Sequence, residues 1–183
     1  MSTRGAIVKL TSKEGEPITF QGVFHHWDSY PSGLGATLYK IRNGHFKGDT
    51  KAMLKILLAH VWFTMVEADF SIPIGYIENA PVFGGTTKKE IKAYEFYRKT
   101  PKCYCHGDRH EKKTYVTEKD ASDIGCEYVY AFTKDGKKMI ILSSYCKDGR
   151  KMIGAFGCGD PNAIWKSIAE IDLDGKEPDW EKI

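Results

Sequence analysis

The chain predicts an α+β fold: an antiparallel sheet, made of an N-terminal hairpin and a C-terminal three-stranded meander, with two helices from residues 34–66 packed on one face. Three observations carry this. Two β-rich runs open the chain on either side of a polar turn. Apolar residues between positions 34 and 65 recur at helical spacing. Two Lys-Asp-Gly turns, at 134–136 and 147–149, separate β-rich runs near the C-terminus.

The hairpin pairs Gly5-Ala6-Ile7-Val8-Lys9-Leu10 with the run from Pro17 to Phe24, across Lys13-Glu14-Gly15-Glu16. Tyr30 precedes Pro31 and is biased to extended backbone, so the first strand pair ends before it. Leu34, Leu38 and Ile41 fall at i, i+4 and i+7, which is a short helix stopped at Asn43-Gly44. Asp49 or Thr50 caps a second helix carrying Met53, Leu54, Leu57, Leu58, Val61 and Met65, apolar around more than one face and therefore central to the core. Pro73, Pro81 and Gly84-Gly85 mark residues 70–86 as irregular. Residues 88–99 read equally as a helix opened by the capping box Thr87-Lys88-Lys89-Glu90 and as a strand rich in Tyr94, Phe96 and Tyr97. The meander comprises Glu127–Thr133, Met139–Ser144 and Lys151–Phe156.

Composition bounds the function. A length of 183 residues fits one domain, 1–183, large enough to bury a proper core. Apolar residues at 42% and charged residues at 28% exclude a disordered chain. Lys+Arg 27 against Asp+Glu 24 leaves +3, too small and scattered an excess for a nucleic-acid surface. The most apolar segment, Met53 to Val66, is interrupted by Lys55 and His60 and is too short to span a membrane. Five irregularly placed cysteines read as reduced thiols, and no signal peptide is evident, so cytoplasm, of a cell or of an infected host, is the expected setting.

The stretch His26-Trp27-Asp28-Ser29-Tyr30-Pro31-Ser32-Gly33-Leu34-Gly35 is the candidate site. It gathers an imidazole, an indole, a carboxylate and hydroxyls where a strand gives way to a helix, as a ligand-lining loop does. In an extended segment His26 and Asp28 point the same way, so the carboxylate orients the imidazole as a general base. Gly33 and Gly35 permit close backbone approach, with Ser32 beside them, and the helix start offers N–H groups to an anion. Arg4 supplies a fixed charge if the first strand runs beside the loop. Trp27 and Tyr30 offer stacking faces, and Ser29 a hydroxyl. The competing reading is architectural: Asp28 or Ser29 caps the turn, Pro31 stiffens it, and the aromatic rings fill the core.

Cys103, Cys105, His106 and His110 lie within eight residues, but zinc sites usually take paired ligands from two separate elements, so no metal is assigned. No phosphate-binding or dinucleotide motif occurs, and no cofactor is required. A free Ser2 at the start of a strand has the layout of an N-terminal nucleophile, unsupported by any further motif. Trp165 and Trp180 either anchor the C-terminal tail or form a partner surface.

Met1-Ser2-Thr3-Arg4-Gly5, followed by the segment His26–Gly35, resembles a family of small phage and bacterial proteins that read M-G-T-R-G and then N-H-[WFY]-D-[SG]-Y-P-x-G-[LV]-G. Cys103-Tyr104-Cys105-His106-Gly107 and Gly125-Cys126-Glu127-Tyr128-Val129-Tyr130 look like that family as well. The resemblance carries no assigned activity and implies an accessory role, such as capturing or acting on a host small molecule. Ser2 replaces the usual Gly, which weakens the N-terminal nucleophile. His25 replaces the usual Asn, which leaves His26 and Asp28 as the residues to carry forward.

The expectation is an accessory protein that binds an anionic, nucleotide-like small molecule at the 26–35 loop. The alternatives are a small hydrolase or transferase using His26 and Asp28, and a protein-interaction domain whose loop is structural. Self-association stays open.

Overall fold

Ala6, Ile7 and Val8 are all fully buried. A strand buried on both faces belongs inside a sheet rather than at its edge. That is where β1 (Gly5–Leu10) lies in the structure, a computed structural model that describes residues 3–13, 15–59, 116–146, 149 and 163–183. On one side β1 pairs antiparallel with β2 (Phe20–His25), Ile7 opposite Val23, as the hairpin signal predicts. On the other it pairs with β4 (Tyr128–Phe132), and that pairing is parallel. The described strands form one sheet in the order β3-β2-β1-β4-β5-β6, with β3 at Val116–Thr117, β5 at Lys138–Tyr145 and β6 at Ile164–Asp172.

The sheet is therefore mixed, which corrects the expected antiparallel sheet. A tight turn dictates an antiparallel neighbour. The β1–β4 contact joins strands far apart in the chain, so no turn sets its direction, and burial on both sides brings them together. The β4–β5 hairpin is antiparallel as expected, closed at Gly136, whose φ of 76° suits a residue without a side chain. The strand beside β5 is β6, antiparallel to it and set later in the chain than the expected third meander strand. The second helix ends at Leu57; residues 151–156 lie outside the described residues, as do 60–66 of the expected second helix, 70–86, 88–99 and the 103–110 cluster.

Helical backbone covers one face of the sheet. It runs without a break through Pro31–Gly35, Ala36–Lys40 (α1) and Ile41–His45. The outer pieces have wide turns closed by i→i+5 bonds, from Ala36 N–H to the Pro31 carbonyl and from Phe46 N–H to the Ile41 carbonyl. Helix α2 (Thr50–Leu57) follows, and the Asp49 side chain accepts from Ala52 N–H at 2.9 Å, the expected cap. Leu34, Leu38, Ile41, Met53 and Leu57 bury against Ile7, Val23, Tyr130, Phe132 and Ile141. The opposite face packs Ala6, Val8, Phe20, Val129, Ala131, Leu142 and Trp165 under the short helix α3 (Glu118–Asp123).

Buried Arg42 ties these parts together. Its guanidinium donates to Thr50 Oγ1 (2.9 Å), Asn43 Oδ1 (2.8 Å), the Leu173 carbonyl (2.6 Å) and Asp174 Oδ1 (2.7 Å). Thr50 Oγ1 in turn donates to the Gly136 carbonyl at 2.6 Å. Both C-terminal tryptophans are buried. Trp165 Nε1 donates to the Glu118 carbonyl and Ser122 Oγ, and Trp180 packs edge-on to Tyr39.

Candidate functional site

The 26–35 loop is pinned from beneath by two buried residues. His25, the last residue of β2, is fully buried, and its Nδ1 lies 2.8 Å from the equally buried Ser29 Oγ. Tyr130 O–H donates to the Ser29 carbonyl at 2.7 Å, and Ser29 N–H donates to the Thr3 carbonyl at 3.3 Å. Gly5 makes this fit possible: a Cβ there would stand 2.6 Å from Ser29 Cβ. Burial, reinforced by the neighbouring His26, lowers the His25 pKa to about 3, so this imidazole is neutral.

Between the two anchors the chain reverses through left-handed backbone, φ 71° at Trp27 and 48° at Asp28. Non-glycine residues rarely adopt this conformation, which costs on the order of 1–3 kcal/mol each. Its result is display. Trp27 is 48% exposed, the His26 ring lies 5.0 Å from it at 32°, and Phe24 lies 5.8 Å beyond His26 at 37°. Tyr30, at 40%, is exposed in the same loop.

The extended segment required to set His26 and Asp28 on one side is absent, because both 27 and 28 turn. The half-buried Asp28 carboxylate makes no hydrogen bond or ion pair among the described residues. The glycines are likewise committed internally. Gly33 N–H donates to the Tyr30 carbonyl and Leu34 N–H to the Asp28 carbonyl, both at 3.0 Å. A Cβ at Gly33 would stand 2.3 Å from the Asp28 carbonyl oxygen, and one at Gly35 would stand 3.0 Å from the Trp180 and Tyr130 rings. Close approach at 33 and 35 is thus to the protein itself. Ser32 is half-buried beside them.

Arg4 does lie beside the loop. The hairpin register sets Gly5 opposite His25, and the parallel register sets Gly5 beside Tyr128. One position out, on the other face, Arg4 adjoins Glu127, whose N–H donates to the Arg4 carbonyl at 2.9 Å. Ser144 N–H donates to the Glu127 carbonyl at 3.2 Å, and Ser144 is registered with Trp165. One transverse row therefore runs Arg4, Glu127, Ser144, Trp165, starting beside the end of β2. Arg4 spends one N–H on the Ile124 carbonyl (2.9 Å). Cys126 stands next to the row. Burial raises its thiol pKa far above the ordinary range, with Arg4 opposing and Glu127 reinforcing the shift.

Glu127 is the residue that sequence reasoning missed. It read as the first position of a β-rich run, yet it is only 7% exposed, and among the described residues its carboxylate has no hydrogen bond or ion pair. A charged residue opening an otherwise apolar strand, directly after Gly125-Cys126, was the available signal.

Among the described residues, no group of three or more His, Cys, Asp or Glu is placed to hold a metal, and no helix is long and apolar enough to cross a membrane. Compared with family models, curated proteins and solved structures, the chain matches none.

Proposed function

We propose that this chain is a ligand-binding protein, of the phage or bacterial accessory kind its motifs resemble, and that it captures an anionic, planar small molecule of the nucleotide class at the 26–35 loop. The observation that carries this reading is Trp27. A large indole is held half in solvent by a backbone conformation that opposes folding, beside an imidazole tilted 32° to it. Aromatic platforms of this kind stack bases at about 1–3 kcal/mol each. Arg4, one residue before the Gly5 that is registered with His25, provides the positive charge for the phosphate. The loop amides of Gly33 and Leu34 are used internally, so the anion rests on the guanidinium rather than on a glycine cradle. The reading in which His26 and Asp28 form a base pair for hydrolysis draws no support from the turned loop.

Calorimetric titration with nucleoside mono- and diphosphates tests the proposal. Trp27→Ala is expected to weaken binding about tenfold or more, consistent with loss of one stacking contact. Arg4→Gln is expected to weaken the nucleotide but not the corresponding nucleoside. Undiminished affinity in Trp27→Ala, or no binding by the unaltered protein, removes the proposal. Mass spectrometry of the titrated ligand shows whether it leaves unchanged, as a binder requires.

A further inference from the structure

An ionised carboxylate withdrawn from water is strongly unfavourable unless donors replace the lost solvent. Glu127 is withdrawn in this way, at 7% exposure, with no donor reaching its oxygens among the described residues. Its backbone is not loose. The Glu127 carbonyl accepts from Ser143 Oγ at 3.2 Å, and the Cys126 carbonyl accepts from Ser144 Oγ at 2.8 Å. Arg4, its neighbour in the row, makes no ion pair with it and is anchored on Ile124 instead. The position is thus a pair of acceptors on a pinned backbone, with no donor among the described residues.

We infer that Glu127 reads the ligand's ring by accepting two adjacent N–H groups from its edge, which selects a guanine-type base. This rests on the nucleotide reading above and adds the base identity. A carboxylate has two parallel acceptor oxygens, and it is matched by two donors side by side. Guanine presents such a pair in its ring N–H and exocyclic amino group. Hypoxanthine keeps the ring N–H and lacks the amino group. Adenine offers only its amino group, beside a ring acceptor, and uracil a single N–H between two carbonyls. Placement agrees with the chemistry: Gly5 is registered with both His25 and Tyr128, which sets these strand ends two strand spacings, about 10 Å, apart, with the His26–Trp27 rings and Glu127 one residue beyond them. The unpaired acid is then explained as a binding group left waiting, at a cost to the empty fold.

Titration of the unaltered protein with the 5′-monophosphates of guanosine, inosine, adenosine and uridine is the first arm. Guanosine monophosphate is expected to bind about ten- to a hundredfold tighter than inosine monophosphate, the worth of one hydrogen bond to a charged group. Arginine and agmatine form a second arm, since a guanidinium carries the same paired donors without a ring to stack. They are expected to bind far more weakly than the guanine nucleotide. In the third arm, Glu127→Gln, which offers one acceptor oxygen, is expected to lose the guanosine-over-inosine preference. Without ligand it is also expected to melt at a higher temperature than the parent, because a buried acid without hydrogen-bond donors is replaced by a neutral amide. Binding of all four nucleotides with equal affinity overturns the inference and leaves the nucleotide reading standing. Binding of none overturns both. A Glu127→Gln protein that melts lower while empty shows that the acid already has a donor, and also overturns it.

Discussion

His25 shows what one buried titratable side chain does to a fold. Its folded pKa, about 3, lies below the ordinary value of 6.5 because burial penalises the imidazolium. Between those two values the unfolded chain binds a proton that the folded chain refuses. Stability from this residue is therefore complete above pH 6.5 and is lost as the pH falls toward 3, by about 1.4 kcal/mol for each pH unit. Urea unfolding at pH 7.5 and at pH 4.5 checks the sign: the parent loses stability on acidification, and His25→Gln, though weaker at neutral pH, loses measurably less. A pH dependence unchanged by the substitution would show that the imidazole is not sealed. The same burial makes His25 a support beneath the turn, whose Trp27 is exposed.

At the level of elements, Asp49 and the wide-turned helical run differ in how openly the sequence announces them. Asp49 precedes the apolar run of α2 and accepts from Ala52 N–H, so Asp49→Ala is expected to cost about 1 kcal/mol of unfolding free energy in a urea melt, and Asp49→Ser much less. The apolar spacing of Leu34, Leu38 and Ile41 was legible in the same way, as was the β1–β2 hairpin from its polar turn. The i→i+5 turns at Pro31–Gly35 and Ile41–His45 were not, because they arise where the chain must fit the sheet face rather than from any local preference. The site was legible only as a segment. That residues 26–30 turn sharply, with an exposed indole among them, agrees with the mixture of polar and aromatic groups. That Arg4 neighbours Glu127 depends on the register between strands remote in sequence, and no local pattern encodes it.

Across the whole molecule, Arg42, in the wide turn after α1, joins α2 and the chain after β6 through one guanidinium, and Thr50 carries the link on to the β4–β5 turn. Removing it leaves the Leu173 carbonyl and Thr50 short of a donor inside the protein, so Arg42→Ala is expected to cost about 3–5 kcal/mol. Arg42→Lys is expected to recover little of this, since an ammonium cannot reproduce the planar fork. Thermal unfolding of the two variants measures both effects, and a melting temperature close to the parent's in either one would contradict this role. The parallel contact of β1 with β4 has a consequence during synthesis. Residue 5 leaves the ribosome early, but its inner neighbour is residue 128. The β1–β2 hairpin must wait, with an apolar flank uncovered, until the strand at residue 128 has been translated. Such distant closure slows folding and makes the emerging chain a natural client for chaperones that shield sticky segments.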